Sequence, residues 1–194
     1  MLSSVDAEWD DAISLRLTSL ALGATGRLSD DLVLGIAVRG ALLLDVALRR
    51  PTAVRGDVAG DDVRPTGFPP ADRLLHAPGR PLVTLLRRGR VDQFDLAAEH
   101  VRRGSWTRTG SRLRPRYRDE TVERTQRDAA TSWHPGWGPA DAALAACAGE
   151  LGVLDAGRTR PSHELLRATA TLRPLVELVV RHVRDNVEAA SDGG

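Results

Sequence analysis

The sequence is poor in several residue types that common functional classes need. Its 194 residues include one cysteine and no lysine, because all 27 basic residues are arginine, and aromatic residues make up 4% of the chain. The lone Cys147 has no partner for an internal disulfide, and none of the histidines lies in an HExxH or CxxC pattern. The patterns GxSxG and GxxxxGKS/T are missing as well. We therefore expect no metal, no cofactor and no enzymatic activity.

A long run of uncharged residues is also missing, which excludes a membrane-spanning helix. The most apolar stretch, residues 28–51, contains Arg39 near its centre and Asp45 in its second half. A charge near the middle of a bilayer costs roughly 2.5 to 3.5 kcal/mol. The N-terminal residues 1–11 are acidic and lack the apolar run of a signal peptide, so we expect a cytoplasmic protein.

The amount and spacing of apolar residues predict one helical domain. Hydrophobic residues make up 42% of the 194 positions, which is enough for a single well-buried core. The expected fold class is mainly α, a single helical domain around a central apolar helix pair, with one or two small β-hairpins. We expect this domain at residues 10–188, between an N-terminal segment at 1–9 and a flexible tail at 189–194.

Two apolar runs with helical spacing predict the central pair, at residues 10–22 and 29–50. Gly23 and Gly26 separate the runs, and Ser29, Asp30 and Asp31 supply oxygen atoms and negative charge for the start of the second helix. A short connection of this kind favours antiparallel packing. Similar patterns predict further helices at residues 82–88, 91–103, 140–151 and 174–190, and a basic hairpin at residues 105–117.

Arg39 lies outside the solvated stripe of the second helix. At about 100° per residue, Asp31, Asp45 and Arg49 share one narrow stripe, whereas Arg39 lies roughly 80 to 120° away among aliphatic residues. An arginine stays charged at any relevant pH, so it must find an anion, carbonyl oxygens or water. Two alternatives remain open: an interior carboxylate or carbonyl partner, and an anionic ligand.

Charge is distributed unevenly along the chain. Residues 80–118 contain eleven arginines against three carboxylates, a local charge of +8 in a protein of net charge +1. Such an asymmetry predicts an anionic partner for this segment, or else a solvated helix face rich in arginine.

The central helix and its surroundings carry a family resemblance. The run LALGATGRLSDD at residues 20–31 leads to VRGALLLDVALRRP at residues 38–51. This aliphatic helix pair, with arginine-glycine in the middle and an alanine-leucine-arginine ending, resembles the Golgi phosphoprotein 3 family. The tripeptide at 65–67, the helix end at 101–104 and the hairpin after it add to the resemblance, which covers most of residues 12–184 and is strongest at 15–51.

The resemblance implies a mainly helical domain that, in eukaryotic members, docks on membranes by binding the headgroup of phosphatidylinositol 4-phosphate. Three arginines and a tryptophan line the family pocket. In this sequence Arg39 occupies the position of the pocket arginine on the helix, and Arg90 occupies the position of one of the two arginines near the start of a later helix. Gln93 takes the place of the other arginine, and Asp30 takes the place of the tryptophan. Since phosphate carries up to two negative charges, Asp30 would repel it and Gln93 would offer only a neutral hydrogen bond.

The family hairpin inserts bulky apolar residues into the bilayer, whereas the matching stretch here is rich in arginine. We therefore expect electrostatic contact with the membrane in place of insertion. The residues expected to make it are Trp106, Arg108, Arg112, Leu113 and Arg114.

Three functions fit these patterns. The first is non-enzymatic binding of an anionic lipid headgroup, a phosphoinositide or another acidic lipid, by a protein peripheral to the inner face of the plasma membrane, with no nucleic acid as partner. The second is a nucleic-acid-binding, winged-helix-like protein, with helix 91–103 and the hairpin as its wing. The third is a protein-interaction adaptor in which Arg39 only pairs with an internal acid.

Overall fold

Two apolar helices form the centre of the fold, α1 (Ile13–Leu20) and α2 (Leu32–Arg49). They belong to a computed structural model that describes residues 8–60, 64–76, 79–111, 114–130 and 137–192. All residues from 33 to 46 are buried, so α2 is covered on every side. The predicted central helix pair is thus confirmed.

The start of α2 lies later than the predicted Ser29. Asp31 has an extended backbone, and its carboxylate accepts a hydrogen bond from the Val33 N–H at 2.9 Å. Because a capping residue stands just outside the helical backbone, the helix begins at Leu32. At the other end, Arg50 leaves the helical conformation and a 3₁₀ turn follows at Pro51–Ala53.

A buried carboxylate holds the two central helices against each other. Asp45 accepts hydrogen bonds from the backbone N–H groups of Ile13 at 2.7 Å and Ser14 at 2.9 Å. Ala12 precedes α1 and has no side-chain acceptor, so Asp45 caps the first turn of α1 in its place. The last turns of α2 therefore lie beside the first turn of α1, and the two helices are antiparallel, as predicted.

The remaining elements surround this pair. The further helices are α3 (Pro69–Leu74), α4 (Leu82–Arg88), α5 (Gln93–Arg103), α6 (Val122–Ala130), α7 (Pro139–Leu151), α8 (His163–Ala168) and α9 (Arg173–Asp192). Helices α1, α7 and α9 pack directly on α2. The mainly helical fold class predicted from the sequence is confirmed.

Two small antiparallel hairpins complete the described chain, in agreement with the prediction. The strand β1 (Val54–Arg55) pairs with β2 (Val58–Ala59), and β3 (Trp106–Gly110) pairs with β4 (Pro115–Asp119). In the second hairpin Arg108 stands opposite Tyr117, so both side chains lie on one face. That face covers α5, because Trp106 and Tyr117 pack with Ala97 in a small apolar cluster.

Helix α9 is longer than the helix predicted at residues 174–190, because it runs from Arg173 to Asp192. That residues 189–194 form a flexible tail stays a prediction. Ala189 and Ala190 have high helix propensity, so the helix continues past its last core contacts.

The helices also bear on the membrane question. Within the described ranges, no helix has a stretch that is long and apolar enough to span a bilayer. Arg39 and Asp45, the charges inside α2, are both buried within the protein.

Candidate anion-binding surface

Arg39 projects from the middle of α2 and is 6% exposed. Its Nε donates a hydrogen bond to the Leu86 carbonyl at 2.5 Å, and its Nη1 donates to the Val91 carbonyl at 2.9 Å. Burial lowers the pKa of Arg39 from its ordinary value, and the carboxylate of Asp92 opposes this change. The guanidinium stays charged nonetheless, because its ordinary pKa is far above neutrality. Of the two alternatives that the sequence left open, the structure shows the interior carbonyl partner.

The two carbonyls that Arg39 binds lie at either end of one short surface segment. Leu86 belongs to the last turn of α4, whose carbonyls have no partner within that helix, and Val91 precedes α5. A cation is favourable at the C-terminal end of a helix. Between the carbonyls, Gly89 packs so closely that an added Cβ would stand 2.7 Å from the Arg39 Cδ. Arg39 therefore fixes the position of residues 86–91.

Gln93 lies beside Arg39 in the interior. It is 2% exposed, and its Nε2 donates a hydrogen bond to the Ser29 carbonyl at 2.8 Å. Both side chains occupy the space over Gly35, where an added Cβ would stand 3.2 Å from Arg39 Nη1 and 3.5 Å from Gln93 Oε1. Gln93 Oε1 has no hydrogen-bond partner among the described residues.

The four residues predicted to line one headgroup pocket divide into two pairs. Arg39 and Gln93 are interior neighbours, whereas Arg90 and Asp30 are exposed. The Leu86 and Val91 carbonyls compete with a phosphate for the Nε and Nη1 donors of Arg39. The headgroup pocket itself stays a prediction.

The segment that Arg39 fixes presents three arginines, Arg87, Arg88 and Arg90, which we name the α4–α5 arginines. All three are exposed, and none forms an ion pair or a side-chain hydrogen bond within the described chain. By contrast, many arginines elsewhere are paired, such as Arg16 with Asp128 at 2.8 Å and Arg184 with Glu150 at 2.8 Å. The α4–α5 arginines are therefore available to an external anion.

The hairpin β3–β4 adds a second group. Arg108, Arg114 and Arg116, which we name the hairpin arginines, are exposed and likewise make no side-chain ion pair within the described residues. The loop at residues 21–31 connects the two groups, because Gly26 accepts a hydrogen bond from the Tyr117 N–H at 2.7 Å and Ser29 accepts one from Gln93. Arg27, also exposed, lies in this loop.

Trp106 does not contact solvent, which corrects its predicted role at the membrane. It is 1% exposed and stacks on His100, with ring centroids 4.2 Å apart. Successive side chains of a strand point to opposite faces, and Trp106 lies on the face that covers α5. Arg108 and Arg114 are exposed as expected, and Arg112 and Leu113 lie outside the described residues.

The local charge of +8 read from the sequence is partly neutralised in the fold. Arg102 and Arg103 both bind Glu99, at 2.6 and 2.8 Å, and Arg118 binds Glu120 at 2.8 Å. Among the described arginines of this segment, those that stay exposed without an ion pair are Arg80, the α4–α5 arginines and the hairpin arginines.

Sequence reasoning missed one feature beside the α4–α5 arginines. A groove of about 420 Å³ runs along the first turns of α2, and Leu32 at its edge is 63% exposed. The helical spacing alone did not distinguish Leu32 from the other aliphatic residues of this helix. Its position as the first residue of α2, directly after the Asp31 cap, is the signal that could have marked it as exposed.

A second cavity, of about 340 Å³, differs in charge from the groove beside Leu32. The arginines on its wall are paired: Arg16 with Asp128 at 2.8 Å and Arg124 with Asp11 at 2.6 Å. His100 also lines it, with Nε2 donating to the Leu15 carbonyl at 3.0 Å and Nδ1 accepting from the Ser105 hydroxyl at 2.8 Å. Burial lowers the pKa of His100 to about 4. This cavity offers an anion little uncompensated positive charge.

Comparison with known proteins adds no assignment to this geometry: no family model matches the chain, and no curated protein matches it. The fold and the surface define a mainly helical protein with a set of exposed, unpaired arginines around one loop. The resemblance to the Golgi phosphoprotein 3 family stays a prediction.

Proposed function

We propose that the protein is a non-enzymatic module that binds the anionic surface of a membrane through the α4–α5 arginines and the hairpin arginines. The observation that carries the proposal is that these side chains are exposed and unpaired, while a buried arginine holds the segment that presents three of them. The ligand is an acidic lipid headgroup, and the expected location is the inner face of the plasma membrane.

The strength of such binding follows from the number of arginines. Each basic residue near an anionic bilayer contributes about 1 kcal/mol, and a guanidinium can bind a phosphate with two parallel hydrogen bonds. Several arginines together give reversible, salt-sensitive attachment. Arg39 takes a positioning role in this proposal, which differs from the headgroup contact that the family resemblance implies.

The arrangement of α5 favours a membrane over a nucleic acid as the partner. A winged-helix protein reads base edges with polar side chains on its recognition helix. Along α5 the exposed positions include Ala98 and Arg102, and Arg102 is held by Glu99 at 2.6 Å. These positions offer few groups for base recognition.

The test is co-sedimentation with vesicles. Phosphatidylcholine vesicles are compared with vesicles that also contain phosphatidylglycerol or a phosphoinositide. We expect binding to the acidic vesicles that decreases as salt is added. Removing two charges with Arg87→Gln/Arg88→Gln should weaken this binding roughly thirtyfold, at about 1 kcal/mol per arginine.

A control variant removes the same charge elsewhere. Arg160 precedes α8 and Arg167 lies on it; both are exposed, and Arg160 makes one long ion pair, with Glu188 at 3.8 Å. Arg160→Gln/Arg167→Gln should therefore bind nearly as the wild type does. Equal loss in both double variants would mean that only net charge matters, and the proposed surface would be wrong. Retention of duplex DNA at moderate salt, without retention by acidic vesicles, would favour the nucleic-acid alternative.

A further inference from the structure

Leu32 is an unusual surface residue. Among the described residues, only Leu32 and Val122 are large hydrophobic side chains with high exposure, 63% and 48%. Leu32 is the first residue of α2, and the Asp31 cap holds it in a regular helical turn. Its backbone is therefore held in place, while its apolar side chain projects into solvent.

The surroundings of Leu32 combine apolar and cationic groups. The groove beside it contains the aliphatic side chains of Ile36 and Val83 and, next to them, Arg87 and Arg88. Both arginines are exposed and unpaired within the described chain. Asp30 and Asp31, which directly precede Leu32, are exposed as well, and their carboxylates oppose contact with anionic headgroups. Arg87 and Arg88 offset these two charges, so an aliphatic projection beside the two arginines matches the interface of an anionic bilayer, where acyl chains lie just below phosphate groups.

We propose that Leu32 inserts into the interface of an anionic bilayer while Arg87 and Arg88 bind the headgroups around it. This inference rests on the proposed membrane function and adds the depth and orientation of the attachment. In place of the hairpin, the start of α2 would be the inserting element. Burial of one leucine side chain should strengthen binding about tenfold.

The contribution of the arginines to membrane binding and the contribution of Leu32 respond differently to salt. Added salt screens the interaction of the arginines with headgroups but does not weaken the burial of an apolar side chain. The ratio of wild-type to Leu32→Ser binding should therefore stay near ten as salt increases, while the binding of both proteins decreases.

A fluorescent label can report insertion directly. Cys147 is buried, and burial raises the pKa of its thiol to about 12, so it reacts poorly with thiol reagents. A cysteine introduced by Leu32→Cys can thus be labelled selectively with an environment-sensitive dye. Val122→Cys provides the matched control, since Val122 is also exposed but lies on α6.

With phosphatidylglycerol vesicles we expect a blue shift of the dye at position 32, quenching by brominated acyl chains, and no change at position 122. In unlabelled protein, Leu32→Ser should bind about tenfold more weakly and Val122→Ser as the wild type does. Thermal unfolding of Leu32→Ser checks that the fold is kept.

The outcomes separate the two proposals. If the wild type binds acidic vesicles but the dye at position 32 stays in water and Leu32→Ser binds normally, insertion is wrong and the proposed function stands. If the wild type does not bind acidic vesicles at any salt concentration, both proposals are wrong. A dye response to an acidic amphipathic peptide, without one to vesicles, would assign the groove to a protein partner and overturn insertion.

Discussion

Arg39 carries a charge that the interior of the protein must compensate. Its partners are the Leu86 and Val91 carbonyls, which lie 47 and 52 residues further along the chain. Carbonyl dipoles stabilise a guanidinium without the cost of desolvating a second charge. The same bonds satisfy a carbonyl at the end of α4, so one side chain serves both the core and the surface segment.

Replacement of Arg39 tests this double role. Arg39→Met removes two charge-assisted hydrogen bonds and leaves two carbonyls without those donors, so the free energy of unfolding should decrease by about 2 to 4 kcal/mol. Urea unfolding measures this loss. Vesicle binding by the folded fraction should weaken too, because residues 86–91 lose their anchor. A variant with normal stability would contradict the anchoring role.

At the scale of elements, α2 is positioned by contacts at both of its ends and along its length. Asp45 near its C-terminal end caps α1, and Asp31 caps its own first turn. In the middle, Gly40 lets α9 approach closely, because an added Cβ would overlap the side chain of Val179. The burial of α2 on all sides thus depends on a small residue at this crossing.

The packing of α2 on α9 makes a stability prediction. Gly40→Ala raises helix propensity but forces the two helices apart, and overpacking typically costs about 1 to 3 kcal/mol of unfolding free energy. We expect a net decrease in a chemical denaturation experiment. Val179→Ala removes the overlapping methyl groups, so the double variant should lose less stability than the two single variants combined. Additive losses would show that the helices do not meet at these residues.

At the scale of the whole molecule, unfolding is linked to the protons that the chain binds. His100 is 4% exposed, and burial lowers its pKa from 6.5 to about 4. Between these values the unfolded chain binds a proton that the folded protein does not. Stability therefore decreases as the pH falls from about 6.5 towards 4.

The expected size of this effect is about 3 kcal/mol, the free-energy equivalent of the pKa difference. His100→Gln keeps a polar side chain at the site but cannot be protonated, so its unfolding free energy should depend less on pH over the same window. Burial opposes ionisation of Glu99 and Glu150, but their paired arginines outweigh it and lower both pKa values, so these groups contribute at lower pH. Parallel pH profiles for wild type and variant would contradict the assignment to His100.

Much of the fold was predictable because local signals decide it. Helix α4 was predicted at its observed bounds, 82–88, and the basic hairpin was predicted close to β3 and β4, since apolar spacing, glycine and capping residues act over a few positions. The site was less predictable. Arg39 was singled out correctly as an interior charge, but the headgroup contact expected for it and the membrane contact expected for Trp106 depend on what packs against them.

The sequence by itself determined the helical class, the central apolar pair and the excess of arginine in residues 80–118, because composition and periodicity are local properties. Only the tertiary structure decided which arginines are free. In the folded protein, two backbone carbonyls accept hydrogen bonds from Arg39. Glu99 pairs with Arg102 and Arg103, and Glu120 pairs with Arg118. The α4–α5 arginines stay exposed beside Leu32. Charge pairing and burial depend on contacts between residues far apart in the chain, which local patterns do not encode.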